Sequence, residues 1–193
     1  VMTVAAGGVI TLNGTIDATT DPDNHGHIEI SKNLTVQGAP GNPPAVLDAH
    51  HLGLTSSSNP ADSHRIFTIT GAVDVTLKNL TLQNGKDATE SNRVGAGGGG
   101  IWAEGHVKLS LIDVTVKDCI SKAPGGGIRC DYDSTGGGSL TMIHCTIKDN
   151  TVKDDSAISD TSGGGISLPN CPFTAVIDGC TISGNVIDKS AYS

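Results

Sequence analysis

The stretch LTMIHCTI, residues 140–147, decides the fold because three other stretches align with it without a gap. These are VTLKNLTL (75–82), LSLIDVTV (109–116) and AVIDGCTI (175–182). In every copy the first, third, sixth and eighth residues are apolar or cysteine, and the seventh is threonine. Alternation with period two is typical of a strand that has one buried face. Each octet therefore predicts two short strands that meet at a two-residue corner.

A second motif follows each loop between the octets. Three glycines and an isoleucine recur, as in APGGGIRC at 123–130, and their isoleucines begin a third short strand: Ile101, Ile128 and Ile166. A unit of this length cannot bury its apolar stripe alone, whereas stacked units share one core. The sequence therefore predicts an all-β fold, a right-handed parallel β-helix (solenoid) of about five coils with three short strands each.

The remaining parts of the chain fit the same plan. A weaker fifth copy, IEISKNLTV at 28–36, has one extra residue at its corner. The first residues already alternate like a strand, and after Asn185 the chain runs VIDKSAYS (186–193) and stops where another glycine motif would be expected. We therefore expect residues 1–193 to be a single β-helix domain, a fragment of a longer exported protein.

Composition excludes several classes of function. The formal net charge is −8, and no Lys/Arg cluster is present that could neutralise a nucleic-acid backbone. Aromatic residues make up 3% of the chain, which favours a thin core of aliphatic and β-branched side chains. No apolar stretch is long enough to insert into a membrane as a helix.

The chain has five cysteines, Cys119, Cys130, Cys145, Cys171 and Cys180, and none forms a CxxC pair. This pattern argues against a zinc site, and we expect neither metal nor cofactor. Cys145 and Cys180 occupy the same octet position, so they should stack in adjacent coils. We expect buried free thiols, although stacked strands are close enough to allow a disulfide between these two.

The two repeated motifs resemble a known family. The glycine motif is followed downstream by a strand ending in IKDN (147–150) or ISGN (182–185). This pairing resembles the GGA[ILV] and FxxN repeats of chlamydial polymorphic membrane proteins and similar surface proteins of other bacteria, over about residues 94–185. The resemblance implies an autotransporter passenger domain at the bacterial cell surface, associated with the outer membrane through other regions and implicated in adhesion. A host-cell protein, the matrix or a glycan would then be the partner.

The predicted function is noncatalytic: a surface-displayed segment that acts in adhesion or as a stalk. Partner recognition would reside in the variable loops at residues 86–96 and 151–162. The alternative is a carbohydrate-active enzyme, a polysaccharide lyase or a glycoside hydrolase. Such enzymes need acidic clusters that hold calcium or act as acid and base, with Arg or Lys for the uronate, and glycoside hydrolysis needs two facing carboxylates. No repeated acidic pair is evident on an outward strand. The best enzyme candidate is Arg129, which we expect in a strand, with the neighbouring Asp131, Tyr132 and Asp133, for which we expect a solvated loop.

Other motifs are better explained without a ligand. DPDNHG at 21–26 resembles the start of a calcium loop but lacks the later glutamate, so a polar turn is expected. The glycine motif lacks the following helix and Lys-Ser/Thr of a phosphate loop. Exposed loops are expected for the histidines His25, His27, His50, His51 and His64. Asn33 and Asn79 each begin a glycan-acceptor sequon, and motifs this short occur by chance. Outward strand positions are expected for the threonine rows, Thr81, Thr115, Thr146 and Thr181, with Thr76, Ser110 and Thr141.

Overall fold

The computed structural model describes residues 6–17, 28–50, 64–88, 95–132, 136–153, 162–169 and 174–189. Within these ranges the chain forms β-strands and no helix. The strands are β1 (Gly8–Leu12), β2 (Thr15–Asp17), β3 (Ile28–Ile30), β4 (Leu34–Gly38), β5 (Ala45–Asp48), β6 (Phe67–Thr70), β7 (Asp74–Gln83), β8 (Lys86–Asp87), β9 (Ile101–Gly105), β10 (Lys108–Lys117), β11 (Ile120–Ser121), β12 (Ile128–Tyr132), β13 (Ser139–Ile143), β14 (Thr146–Lys148), β15 (Thr151–Lys153), β16 (Ile166–Ser167), β17 (Thr174–Asp178), β18 (Thr181–Ser183) and β19 (Val186–Asp188).

The octets form the largest sheet, called here the octet sheet. Strands β1, β4, β7, β10, β13 and β17 lie side by side in that order, and β2, β5, β14 and β18 extend the same sheet beyond the corner. All of these strands pair in parallel, and the strands of the four aligned octets pair in the register that the alignment predicts: Leu77 lies opposite Leu111, and Leu111 opposite Met142. The prediction of a parallel β-helix is confirmed.

The strands that follow the glycine motifs form a second sheet, called here the glycine sheet, in the order β3, β6, β9, β12 and β16. Ile128 lies between Ile101 and Ile166 on the neighbouring strands, so the three glycine motifs stack in register. The third predicted strand of the repeat is therefore confirmed.

The coils also contain a short strand at a place where the sequence does not predict one. Strands β8, β11, β15 and β19 form a separate short sheet, located between the octet and the loop that precedes the glycine motif. These strands are only two or three residues long, which is too short to show an alternation of apolar and polar residues. Because β7 and β10 each run through a whole octet, their coils contain three strands, the predicted number, with this short strand as one of the three.

The weak fifth copy at 28–36 is also assigned differently by the structure. Its first part, β3, belongs to the glycine sheet, where Ile28 lies opposite Phe67. Its second part begins β4, which pairs with the first half of β7, while β5 pairs with the second half. Residues 38–44 thus replace the single corner residue Asn79. This insertion hid the true alignment, because it splits the octet into two pieces.

The inward side chains of the octets form one continuous core. Leu77, Leu111 and Met142 are fully buried, as are the equivalent residues in the rest of β7, β10, β13 and β14. In the last coil the matching Ile177 remains 49% exposed. The core therefore consists of ladders of aliphatic side chains, each running from coil to coil as predicted.

The corners of the octets adopt the left-handed backbone conformation. Asn79 has φ 50°, Asp113 53°, His144 52° and Gly179 58°, at equivalent positions in four coils. Asparagine, aspartate and glycine tolerate this region better than other residues do. A second left-handed ladder follows at the end of the octets, at Asn84, Asp118, Asp149 and Gly184. The corners predicted between the two halves of each octet are confirmed.

The three glycines of each motif meet three different steric demands. Gly125 has φ 81°, and a Cβ on Gly126 would contact the carbonyl oxygen of Gly164 in the next coil. A Cβ on Gly127 would meet the side chain of Asn150. Asn150 is fully buried; its Oδ1 accepts a hydrogen bond from Cys119 N–H (3.0 Å), and its Nδ2 donates to Val116 O (3.1 Å). The glycines therefore shape the coil rather than cradle a phosphate.

Candidate functional site

The outer surface of the glycine sheet carries the densest group of functional side chains in the described part of the chain. Phe67, Ile101 and Ile128 point inward and are fully buried. The intervening residues therefore face outward in two rows across β6, β9 and β12: Thr68, Trp102 and Arg129, then Thr70, Glu104 and Asp131. We call these six residues the outer polar face. It contains the only tryptophan of the chain.

Arg65 lies beside this face, just before β6, and its side chain is 7% exposed. Its guanidinium donates hydrogen bonds to the carbonyl oxygens of Gly95 (2.7 Å), Gly97 (2.8 Å) and Gly98 (2.9 Å). The same group lies 5.3 Å from the centre of the Trp102 ring, within the range of a cation–π contact. Arg65 thus holds the segment that leads into the first glycine motif.

Asp87 balances the charge of Arg65. The two side chains form an ion pair of 3.1 Å in which Asp87 is 1% exposed, and Asp87 also accepts a hydrogen bond from Gly97 N–H (2.6 Å). Burial lowers the pKa of Arg65 and nearby Arg129 lowers it further, while the carboxylate of Asp87 raises it. Since a buried charge is costly without a partner, Arg65 and Asp87 depend on each other.

Arg129 forms a second ion pair, 2.9 Å long, with Asp131 on the same strand. Arg129 is 15% exposed and Asp131 36% exposed, so this pair lies nearer to solvent. The Nε–H of Arg129 and the indole N–H of Trp102 are buried and have no acceptor among the described residues.

Glu104 and Asp131 form a pair of carboxylates on neighbouring strands, directly opposite in register. Burial, followed by the negative charge of Asp131, raises the pKa of Glu104. The expectation that no acidic pair repeats on an outward strand is therefore wrong. Each acid is the third residue after the isoleucine of its glycine motif, so aligning GGGGIWAE with PGGGIRCD would have revealed the pair.

The enzyme candidate predicted from the sequence is placed only in part. Arg129 lies in strand β12, as expected. Asp131 and Tyr132 lie in the same strand rather than in a loop, so the expectation of a solvated loop is wrong for these two. Asp133 lies outside the described residues. The structure brings Arg129 and Asp131 together with Glu104, which sequence reasoning missed.

The two predicted recognition loops begin later than expected. Residues 86–88 are buried and contain strand β8, and residues 151–153 form strand β15. Residues 89–94 and 154–161 lie outside the described residues. The variable part of each loop is thus shorter than the ranges 86–96 and 151–162.

The threonine rows occupy the predicted outer positions of the octet sheet. Thr115 lies opposite both Thr81 and Thr146, and Thr146 opposite Thr181. Thr76, Ser110 and Thr141 stack in the same way. These rows are regular, and each side chain occupies the outward position of a strand.

The remaining candidates bring no metal centre together. His50 lies 3.4 Å from Asp48, whereas His25, His27, His51 and the calcium-like stretch at 21–26 fall outside the described residues. In the parts of the chain that the structure describes, no three His, Cys, Asp or Glu side chains are grouped to hold a metal ion. Cys119, Cys130, Cys145 and Cys180 are free thiols, while Cys171 falls outside the described residues.

Comparison with protein-family models, curated proteins and solved structures found no match for this chain. The described residues include no helix long and apolar enough to cross a membrane.

Proposed function

We propose that this chain is a noncatalytic, surface-displayed β-helix segment that acts in adhesion or as a stalk within a bacterial outer-surface protein. The repeated GGGI and IKDN or ISGN motifs support this proposal through their resemblance to autotransporter passenger repeats. In that setting the segment is extracellular, and its partner is a host-cell protein, the matrix or a glycan.

The anchoring of the first variable loop carries the proposal. Arg65 donates hydrogen bonds to three carbonyl oxygens at the end of that loop, those of Gly95, Gly97 and Gly98, and Asp87 accepts one from the backbone N–H of Gly97. These buried charges are used to hold a segment in place, and they are not free to act on a substrate. A rigid core with anchored loop ends is a suitable platform for presenting variable sequence to a partner.

Loop replacement tests this proposal. Residues 89–94 and 154–161 would be exchanged for Gly/Ser segments of equal length, with Arg65, Asp87 and the glycine motifs retained. Binding to cultured host cells and to immobilised matrix proteins should fall to background, while the circular dichroism and melting temperature remain those of the parent. Unchanged binding after both replacements would contradict recognition by the loops.

A second candidate function, a carbohydrate-active enzyme, is favoured by the Glu104–Asp131 pair. Neighbouring parallel strands lie about 4.8 Å apart, similar to the roughly 5 Å between the two carboxyl groups of retaining glycosidases. Glu104, whose pKa is raised, would be the proton donor, and Asp131, paired with Arg129, would be the second carboxyl group.

Product release from a panel of neutral and acidic polysaccharides distinguishes the two candidates. An enzyme would release reducing or unsaturated ends, and both Glu104→Gln and Asp131→Asn would abolish release. Asp113→Asn is the matched control, because Asp113 is an exposed corner residue at which asparagine suits the left-handed backbone. If the parent protein releases no product from any polymer, the second candidate fails and the first stands.

A further inference from the structure

We propose that Cys145 and Cys180 form a disulfide in an oxidising environment and thereby staple two stacked coils together. Both are free thiols in this structure. The inference does not rest on the proposed function, because it follows from the register of the octet sheet alone.

The register places the two cysteines at the same position of adjacent coils. Ile143 lies opposite Asp178 and Thr146 opposite Thr181, so Cys145 and Cys180 are stacked between these pairs. The backbone N–H of Cys145 points to the sulfur of Cys180 at 3.3 Å. Adjacent parallel strands are about 4.8 Å apart, within the 4.4–6.8 Å range of Cα separations in disulfides.

The other described cysteines occupy different columns of the solenoid. Cys119 lies at the end of its octet, where its N–H donates to Asn150, and Cys130 lies in the glycine sheet opposite Ala103. Neither is stacked on a second cysteine. Within the described ranges, Cys145 and Cys180 are therefore the pair that the register selects.

The difference in burial indicates the order of the reaction. Cys180 is partly exposed, whereas Cys145 is buried, and burial raises the pKa of Cys145 to about 11. With a small disulfide such as oxidised glutathione as the oxidant, the Cys180 thiolate attacks first, forms a mixed disulfide and releases one glutathione thiolate. The Cys145 thiol then loses its proton and attacks the Cys180 sulfur, which releases the second glutathione. Two protein thiols are oxidised and one glutathione disulfide is reduced.

The bond would hold the coil that contains β17 and β18 against the coil that contains β13 and β14. Side chains of β17 and β18 are exposed in this structure, including Ile177 and Ile182. A cross-link limits the opening of this coil because it shortens the segment that can separate from the stack.

The test uses the Cys171→Ser protein, so that the cysteine outside the described residues cannot compete. Fully reduced protein would be incubated with oxidised glutathione, and its thiols and disulfide-linked peptides would be identified by mass spectrometry. We expect two of the four remaining thiols to be lost and a single Cys145–Cys180 linked peptide to appear. Amide hydrogen exchange in β17 and β18 should slow about tenfold or more on oxidation.

Three further variants serve as controls in the same background. Cys145→Ala and Cys180→Ala should each prevent the intramolecular bond, whereas Cys119→Ala should leave it intact. The circular dichroism of each variant before oxidation verifies that the solenoid is retained. Four free thiols after oxidation, a linked peptide with a different cysteine pair, or unchanged exchange in β17 and β18 would overturn the proposal.

Discussion

Gly127 packs directly against the side-chain amide of Asn150: a Cβ on Gly127 would lie 2.9 Å from Asn150 Cγ and 3.0 Å from its Nδ2. Gly165 has the same relationship to Asn185, where the corresponding Cβ–Cγ distance is 2.7 Å. The asparagine side chain fills the inside of the turn and forms hydrogen bonds with buried backbone groups. It leaves no room for a side chain at the glycine that faces it. The glycine motif (GGGI) and the motif that ends in asparagine (IKDN or ISGN) therefore pack against each other across the coil.

Gly126→Val should destabilise the protein by about 3 kcal/mol or more, since overpacking a rigid site is costly. The new Cβ would meet the carbonyl oxygen of Gly164 and the backbone of Thr151 in the next coil. Urea unfolding followed by circular dichroism measures the change. Gly41→Asn is the control, because Gly41 has φ 77° and open space around it. Equal midpoints for the valine variant and the parent would show that the glycine motifs are not closely stacked.

Arg65→Met should lower the free energy of unfolding by about 3–5 kcal/mol, because it leaves Asp87 buried without its charge partner. Adding Asp87→Asn should recover part of this loss. Lys108→Ala removes an exposed ion pair with Asp74 and should cost less than about 1 kcal/mol. If Arg65→Met is as mild as the Lys108 variant, Arg65 does not anchor the loop.

Asp48 should make the protein less stable in acid. Burial raises the pKa of Asp48, but hydrogen bonds from Asn84, Gln83 and the backbone of His50, together with the charge of His50, lower it overall. A carboxyl group with a lowered pKa stabilises the fold above its unfolded value of about 4, and this stabilisation is lost as the pH falls below that value. Asp48→Asn should therefore cost more at pH 7 than at pH 3, measured by urea unfolding. An equal cost at both pH values would contradict this assignment.

Glu104 should show the opposite dependence on pH. Burial and the charge of Asp131 raise its pKa, so the protonated form is favoured in the folded state. Its contribution is present below the unfolded value of about 4 and is lost as the pH rises through the folded pKa. Glu104→Gln should therefore be neutral or stabilising by less than about 1 kcal/mol at pH 7. Clear destabilisation at pH 7 would mean that the ionised Glu104 has a stabilising role.

The sequence predicted those parts of the fold that depend on a regular period. The alternation in the octets places Leu111 and Met142 in the core, and the two-residue breaks identify the corner at Asp113. The short strand β11 could not be predicted, because two residues carry no period. The insertion at 38–44 could not be separated from the octet without knowing which strands pair.

The residues of the candidate site could not be predicted from the apolar period that predicted the fold. Glu104 and Asp131 were accessible through the alignment of the glycine motifs, since both are at a fixed distance from their isoleucine. The contacts of Arg65 were not accessible, because they join side chain and backbone across a loop whose path is not periodic. Sequence reasoning therefore found the scaffold and two of the six residues of the outer polar face, Arg129 and Asp131.

A double-mutant cycle between Gly127 and Asn150 tests most directly the central claim, that the two repeated motifs form one packing contact. Gly127→Ala should cost about 1–3 kcal/mol in the parent protein. It should cost less in Asn150→Ala, where the Cγ and Nδ2 atoms that the new Cβ meets are missing and the contact with the Gly165 carbonyl oxygen, at 3.0 Å, remains. Equal costs in both backgrounds would contradict the claim, because additive effects mean that the two residues are not in contact.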